Sequence, residues 1–514
     1  MAFIRKTKIK GNVYLYLVTN SWVNGKVKQK FLGYLGREDK LPQVLEKCLP
    51  LQKLVDADLE NLLYQTPISL WKLMEQMQLQ VIFRRHFSKE WGVDAATVAC
   101  VMILNYATDR KSKCRIDDWY SQTYLPHLLK VPPSKMNKDL LCRTMDFFTD
   151  DKIEEIHAEV FRTANEQYKF SGSPFFYDLT TVTFEGDHCS MAKKGYNPEA
   201  VDRLQVNIGL AVTPERFPIV HKVFEGNTKD VKTMEKVIGL LKKTTSLHSV
   251  VFIFDRGITS KNNIQMILAE GAGYICGVSK SKTVKDLILS LGDDAFTKID
   301  DVSSFYETTK DGQRLIIFRN SEMIETQRTK RQQMLEKIER KLEKLKRNAS
   351  RYKRARLHEK IGAITRDYRR YFRISTKSGL SFSRKEEALK TAELLDGKCA
   401  IITNTSLPPP EILRRYRDRN FIEMSFRELK MFVDIRPVRH WKDRRVLAHV
   451  FLAVLAFGLR SVVEMKIRRA GLQLTAEEAL IRLNKVRALV AKGKVLRLTG
   501  ETDEIRRIVA AVEG

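Results

Sequence analysis

Four residues in one short segment have types and spacing that could do chemistry. Tyr416, Arg419, Glu423 and Lys430 lie within EILRRYRDRNFIEMSFRELK, residues 411–430. The segment predicts one helix. At about 100° per residue the four side chains share a stripe roughly 60° wide. Glu411, Asp418 and Glu428 point well away from it. An aromatic ring, two cations and one carboxylate on one helix face suit a phosphodiester. The plainer reading is a surface ion-pair row, since Arg419 and Glu423 are i,i+4 partners.

Two further carboxylates stand where strands are expected. Asp178 interrupts FFYDLTTVTF, a run of aromatic and β-branched residues. A carboxylate in mid-strand is costly unless it faces solvent or a metal. Asp255 ends the apolar run VVFIF, which reads as a strand buried on both faces. Ligand sites favour the C-terminal ends of such strands. A solvent-facing strand aspartate and a turn aspartate are the ordinary alternatives. Together with Glu423 these residues suggest a carboxylate triad. Phosphodiester cleavage needs a strong nucleophile and neutralisation of charge on the leaving oxygen. Two Mg²⁺ ions about 4 Å apart supply both, and Mg²⁺ prefers carboxylate oxygen and water.

Composition points the same way. The chain has 514 residues, 91 Lys+Arg against 62 Asp+Glu, and a formal charge of +29. Such a surplus predicts an extended polyanion as partner, most simply nucleic acid. Seven scattered cysteines without a CxxC pair argue for a reducing compartment and against structural zinc. MAFIRKTKIKG has charge but no apolar core, so no signal peptide is expected. The longest apolar run, Leu447 to Leu459, is too short for a bilayer and reads as a buried helix. These features predict a cytoplasmic, nucleoid-associated protein without membrane contact. GxxxxGK[ST], GxSxG and HExxH are all absent from the sequence. Reaction energy must then come from the substrate, which suits transesterification.

The elements that would position the site follow in order. Residues 1–66 form a basic region with strands Val13–Val18 and Val27–Leu35 around an Asn24-Gly25 turn. Residues 67–170 read as helical and DNA-contacting, with Ser69 and Asp94 as N-caps and Ala95–Ala107 as a core helix. Residues 171–280 carry strands Phe175–Phe184, Leu204–Val212, Ile219–Phe224, Val250–Phe254 and Tyr274–Val278, with helices near 231–243 and 260–270. That order fits a mixed sheet flanked by helices, as in ribonuclease H-like folds.

Residues 281–397 interrupt the sheet. They hold a hairpin at Phe305–Thr309 and Arg314–Phe318, then a long basic helical stretch. Within 328–373 there are 18 Lys/Arg against 5 Asp/Glu, which suggests an arm tracking a phosphate backbone. Leu335, Ile338, Leu342 and Leu345 form a short coiled-coil-like seam there. The sheet resumes at Cys399–Thr403 within residues 398–442, which also contain the Glu423 helix and the basic turn Asp434–Trp441. Residues 443–514 are expected to be helical. The fold class is α+β, mixed.

The pattern Y-x2-R-x3-E-x6-K, filled by Tyr416, Arg419, Glu423 and Lys430, resembles the signature of bacterial insertion-sequence transposases of the DDE type. FYDLTTVTFEG resembles the first catalytic block of that family and FIFDRGITSKNN the second. The resemblance implies a ribonuclease H-like core with Asp178, Asp255 and Glu423 as ligands of two Mg²⁺ ions, for which Mn²⁺ can substitute. It implies that Arg419 and Lys430 contact DNA phosphates and that Tyr416 positions the strand. It also implies binding of terminal inverted repeats, a homodimer or higher multimer that pairs two ends, and strand transfer by freed 3′ hydroxyls. Relatives that form hairpin ends can stack a flipped base on an insertion-domain Trp. Residues 281–400 contain no Trp, and Phe305 or Tyr306 would have to substitute. Two rivals share many of these features: a catalytically silent transposase-derived DNA-binding protein, and another ribonuclease H-like nuclease.

Overall fold

The computed structural model describes residues 2–9, 11–23, 26–41, 59–87, 92–185, 188–195, 203–248, 250–255, 257–278, 281–310, 312–377, 379–431, 433, 435, 438 and 440–514. The Asn24-Gly25 turn, Arg256 and Asp434, Arg436, Pro437 and Arg439 lie outside the described residues.

Strands β1 (Ala2–Ile9), β2 (Asn12–Val23) and β3 (Lys26–Arg37) make an antiparallel sheet. The expected hairpin is its β2–β3 half, and β1 is an addition. After β4 (Leu59–Leu63) come seven helices: α1 (Gln65–Gln76), α2 (Leu79–His86), α3 (Ala95–Thr108), α4 (Ile116–Ser121), α5 (Leu125–Leu129), α6 (Lys138–Met145) and α7 (Asp150–Tyr168). Asp94 caps α3 through the Ala96 amide at 3.3 Å, and α3 is buried from Ala95 to Ala107. Ser69 is not a cap. Its helix starts at Gln65, and the buried Ser69 hydroxyl donates to Glu513 at 2.7 Å.

The main sheet is mixed and has nine strands. In chain order these are β5 (Phe175–Thr183), β6 (Gln205–Val212), β7 (Pro218–Glu225), β8 (Val251–Phe254), β9 (Gly273–Gly277), β10 (Thr297–Lys298), β11 (Ser303–Lys310), β12 (Gln313–Asn320) and, beyond β13 (Phe372–Ser375) and β14 (Ser381–Arg384), β15 (Lys398–Thr403). Their spatial order is β10-β11-β12-β15-β9-β8-β5-β6-β7. The meander β5–β6–β7 is antiparallel, and β5, β8 and β9 run parallel. Helices α8 (Met234–Thr244) and α9 (Lys261–Ala269) make the connections to β8 and β9, as parallel pairing requires. β6 is buried at every position, in keeping with its apolar run.

The hairpin β11–β12, placed by sequence inside the interruption, extends this sheet. β12 pairs with β15, and Leu315, Ile316, Ile317 and Phe318 are buried there. After α10 (Lys282–Ser290) and this hairpin, the chain leaves the sheet at α11 (Ser321–Arg347), α12 (Arg354–Thr365) and α13 (Glu386–Leu395). This part has a small core of its own. Leu335, Ile338 and Leu342 pack with Tyr371, Phe372 and Leu389, while Leu345 packs with Leu357, Ile361 and Leu380.

The segment 411–430 is not one helix. α14 (Pro409–Arg417) and α15 (Asn420–Met431) are separated by a turn at Asp418 and Arg419. The Arg419 amide bonds the Tyr416 carbonyl at 3.2 Å, and the Phe421 amide bonds Asp418 at 2.8 Å. These tight bonds replace the i→i−4 ladder, so a single angular stripe does not describe the four residues.

α16 (Asp443–Arg469) is the central helix. It is long and apolar enough to cross a membrane, unlike the shorter run read from sequence, yet its apolar window is 94% buried within the protein. It packs on α3, β7, α6 and α15. The region after it is not all helical. Between α17 (Ala476–Leu483) and α18 (Asp503–Glu513) lies a hairpin, β16 (Arg487–Ala491) and β17 (Lys494–Thr499), and β16 pairs with β4. Ala488 and Val490 are buried at that seam with Leu62, which gives these short strands a core.

His449 of α16 is buried. It bonds the Tyr106 hydroxyl and the Ile435 carbonyl, both at 2.8 Å, tying the segment after α15 to α3. Burial holds its pKa well below the usual value, and burial lowers that of His157 to about 4. Unfolded imidazoles take up protons near pH 6.5. Stability carried by these neutral histidines is therefore full above about pH 6.5 and lost as pH falls toward 4. We expect the thermal midpoint to drop steadily between pH 7 and pH 5 in calorimetry. In a separate test, Leu342→Ala should destabilise by about 2–5 kcal/mol. Hydrogen exchange should quicken in residues 321–395 and stay unchanged in β5, β8 and β9.

Candidate active site

β5 and β8 pair in parallel with Phe175 opposite Phe252 and Phe176 opposite Ile253. Each strand carries an aspartate two residues beyond the last pair, Asp178 within β5 and Asp255 just past the end of β8. Both follow Phe176 and Ile253 at i+2, so both lie on the same face. The Asp178 carboxylate is half-buried and accepts the Leu179 amide at 2.8 Å. On the opposite face, Tyr177 donates to the Thr233 hydroxyl at 2.8 Å, which anchors β5 to the approach to α8.

α15 lies over the aspartate face. Phe421 in its first turn meets Phe176 edge-on, with ring centres 5.9 Å apart. The turn before α15 then sends Arg419 to the strand ends. Its Nη1 lies 2.7 Å from Asp255 Oδ1 and its Nη2 3.3 Å from Glu423 Oε1. One guanidinium thus bridges two of the three predicted carboxylates. Glu423 is exposed, and Lys430 lies two turns further along α15, half-buried.

The Arg419 guanidinium also sits over the Tyr416 ring, 5.3 Å from its centre. Burial opposes the Arg419 charge, but Tyr416, Asp255 and Glu423 outweigh it and raise the pKa. Burial pushes the Tyr416 hydroxyl up to about 12, so it is neutral at physiological pH. That hydroxyl fits against Gly277 at the end of β9, where any Cβ would collide with it. Thr259 Oγ1 lies 3.3 Å from the Asp255 carbonyl and 3.2 Å from that of Gly277, so the loop after β8 is held to β9.

The site therefore brings Asp255, Glu423 and Tyr416 together around Arg419, while Asp178 lies on the neighbouring strand β5. Gly277, Thr259 and Phe421 were not singled out from sequence. A lone Gly ending a strand carries no signal of an aromatic pressed against it.

A closed metal cage is not formed. Among the described residues, no group of three or more His, Cys, Asp and Glu side chains is arranged to hold a metal ion. The carboxylate set still fits the chemistry of a hard divalent cation, because oxygen donors suit Mg²⁺ and Mn²⁺. Positive charge is already needed between Asp255 and Glu423, and Arg419 supplies it.

The fold is mixed α+β, and Asp255 and Glu423 meet around Arg419 at the end of a parallel strand. The family model for the transposase DDE domain matches residues 169–459, more than half of the chain, and the chain belongs to this family. Among solved structures, it is similar to a piggyBac transposase synaptic complex with hairpin DNA, determined by cryo-EM. That likeness covers 82% of this chain and 80% of the other, at 9% identity and a TM-score of 0.42. Comparison with curated proteins gave no match.

The fit between Gly277 and Tyr416 is open to a direct test. Gly277→Ala should cost about 1–3 kcal/mol through overpacking. Tyr416→Phe in the same chain removes the colliding oxygen and should restore most of the lost thermal midpoint. A double variant no more stable than Gly277→Ala alone would locate the strain elsewhere.

Proposed function

We propose that this DDE transposase binds the terminal inverted repeats of an insertion sequence and catalyses metal-dependent cleavage and strand transfer. The carrying observation is the Arg419 guanidinium that joins Glu423 to Asp255, beside the parallel pairing of the strands that bear Asp178 and lead to Asp255. The sheet supports a ribonuclease H-like core: an antiparallel meander β5–β6–β7, with β8 and β9 parallel to β5 on its other side.

In this reading Asp178, Asp255 and Glu423 hold two Mg²⁺ or Mn²⁺ ions. Bound ions would activate a water or a 3′ hydroxyl and neutralise charge on the leaving oxygen. The chain's own residues do the positioning. Arg419 and Lys430 engage DNA phosphates, and the neutral Tyr416 supports the strand beneath Arg419. The basic stretch 328–373 tracks the backbone beyond the site, and residues 1–170 contribute further DNA contacts. Two ends are paired in a homodimer or higher multimer, in the cytoplasm.

The guanidinium bridge favours one second reading, a catalytically silent DNA-binding relative in which Arg419 permanently replaces the metal charge. Metal titration separates the two. Specific binding of Mn²⁺ to the native state raises the melting temperature, as RT ln(1 + [L]/Kd) requires. We expect this rise in the wild type and a smaller one in Glu423→Gln. Equal responses in both would exclude Glu423 as a ligand.

Cleavage tests the reading directly. Labelled duplex carrying the flanking ends of the gene is incubated with protein and Mg²⁺. The wild type should nick at the element boundary and leave 3′ hydroxyls. Glu423→Gln should lose cleavage by a factor of at least about 10³ in rate while end binding stays within twofold. Cleavage by Glu423→Gln at the wild-type rate would remove this residue from the site.

A further inference from the structure

Glu428 is on the same helix as Glu423 but on the side turned into the protein, where it is 6% exposed. Its two oxygens are held by different arginines. Arg460 Nε reaches Oε1 at 2.8 Å, and Arg216 Nη1 reaches Oε2 at 3.2 Å. Both arginines have further fixed partners. Arg460, 2% exposed on α16, donates to the Ala107 carbonyl of α3 at 2.9 Å and pairs with Glu477 of α17 at 2.6 Å. Arg216 pairs with Glu464 of α16 at 2.8 Å. It stands in the β6–β7 turn at a φ of +66°, a backbone state uncommon for a residue with a side chain.

Stability alone is a poor explanation for this network. Burying two carboxylates and two guanidinium groups costs desolvation energy comparable to what pairing returns, and apolar residues would fill the space as well. The network does supply geometry. Each oxygen of Glu428 is tied to a separate element, one to α16 and one to the sheet. Two such ties restrict both rotation and sliding of α15. Glu423 is exposed, with Arg419 as its ion-pair partner, so the placement of its carboxylate depends on how α15 is set.

We propose that Glu428 is a positioning residue for the reaction: through Arg460 and Arg216 it fixes the rotation and depth of α15, and so the place of the Glu423 carboxylate opposite Asp178 and Asp255. The proposal rests on the transposase reading. Glu428 touches neither DNA nor metal in this scheme.

The test compares Glu428→Asp with Ile508→Ala. The first keeps the buried charge but shortens its reach by one methylene, so both arginines can be met only if α15 shifts. The second removes buried apolar volume from α18, where Ile508 is fully buried, and controls for general loss of stability. For each protein the readouts are melting temperature, dissociation constant for end DNA, single-turnover cleavage rate at saturating DNA, and Mn²⁺ affinity by electron paramagnetic resonance. Glu428→Asp should cleave at least tenfold more slowly per folded molecule and bind Mn²⁺ at least threefold more weakly, with end binding within twofold. Ile508→Ala should lose thermal stability and keep its cleavage rate within twofold. Unchanged rate and Mn²⁺ affinity in Glu428→Asp, beside an active wild type, would overturn the positioning role and leave the proposed function standing. A wild type that neither cleaves nor binds Mn²⁺ would overturn both. If Glu428→Asp does not fold, Arg216→Lys keeps the charge, loses the fork geometry, and is judged by the same thresholds.

Discussion

Repulsion between carboxylates is the constraint that shapes this site. Asp255 at the end of β8 and Glu423 on α15 come close enough to share one guanidinium. Like charges this close must be offset by positive charge, by protonation or by water. The protein uses a guanidinium. Arg419 reaches Asp255 only because the helix breaks before α15, which turns its side chain toward the strand ends. The break, the stacked Tyr416 and the glycine beneath it can all be traced to that electrostatic need.

Around this centre the fold is built to hold α15 still. The inward side of the helix is pinned twice, by Phe421 against Phe176 and, two turns on, by Glu428 between two arginines. The second anchorage leads to α16, which carries Arg460 and pairs with Arg216 through Glu464, and which contacts the helical region and the sheet alike. The basic helices 321–395 sit outside this arrangement with their own small core. Their surface charge is therefore free to serve a polyanion without compromising the packing at the centre.

Much of this was legible in the sequence. The strands β5 to β9 announce themselves by apolar and β-branched runs, and Asp178 and Asp255 stand out because they end or interrupt such runs. α3 and α16 are apolar almost all round, as buried helices are. The remainder depends on contacts that periodicity does not encode. A helical pattern runs through Asp418 and Arg419, yet tertiary pairing with Asp255 bends the chain there. Ser69 has the composition of a cap, but Glu513 claims its hydroxyl from the far side of the chain. The hairpin at Ser303–Asn320 looked like part of an insertion because nothing local reveals which sheet an edge strand will join. Glu428 lies off the stripe of four, and its spacing carries no signal of the two buried arginines it meets.

The closure of β4 by β16 has a consequence for how such a chain is made. Leu59–Leu63 finds its partner strand only at Arg487–Ala491, and Ser69 meets its partner 444 residues later. During synthesis the first helices must wait for almost the entire polypeptide before their sheet and polar contacts can be completed. Loop closure over such a separation is slow compared with local helix formation. The acidic centre, set between these distant segments, therefore matures late. A nascent or prematurely ended chain would display basic surface well before the setting of α15 was complete.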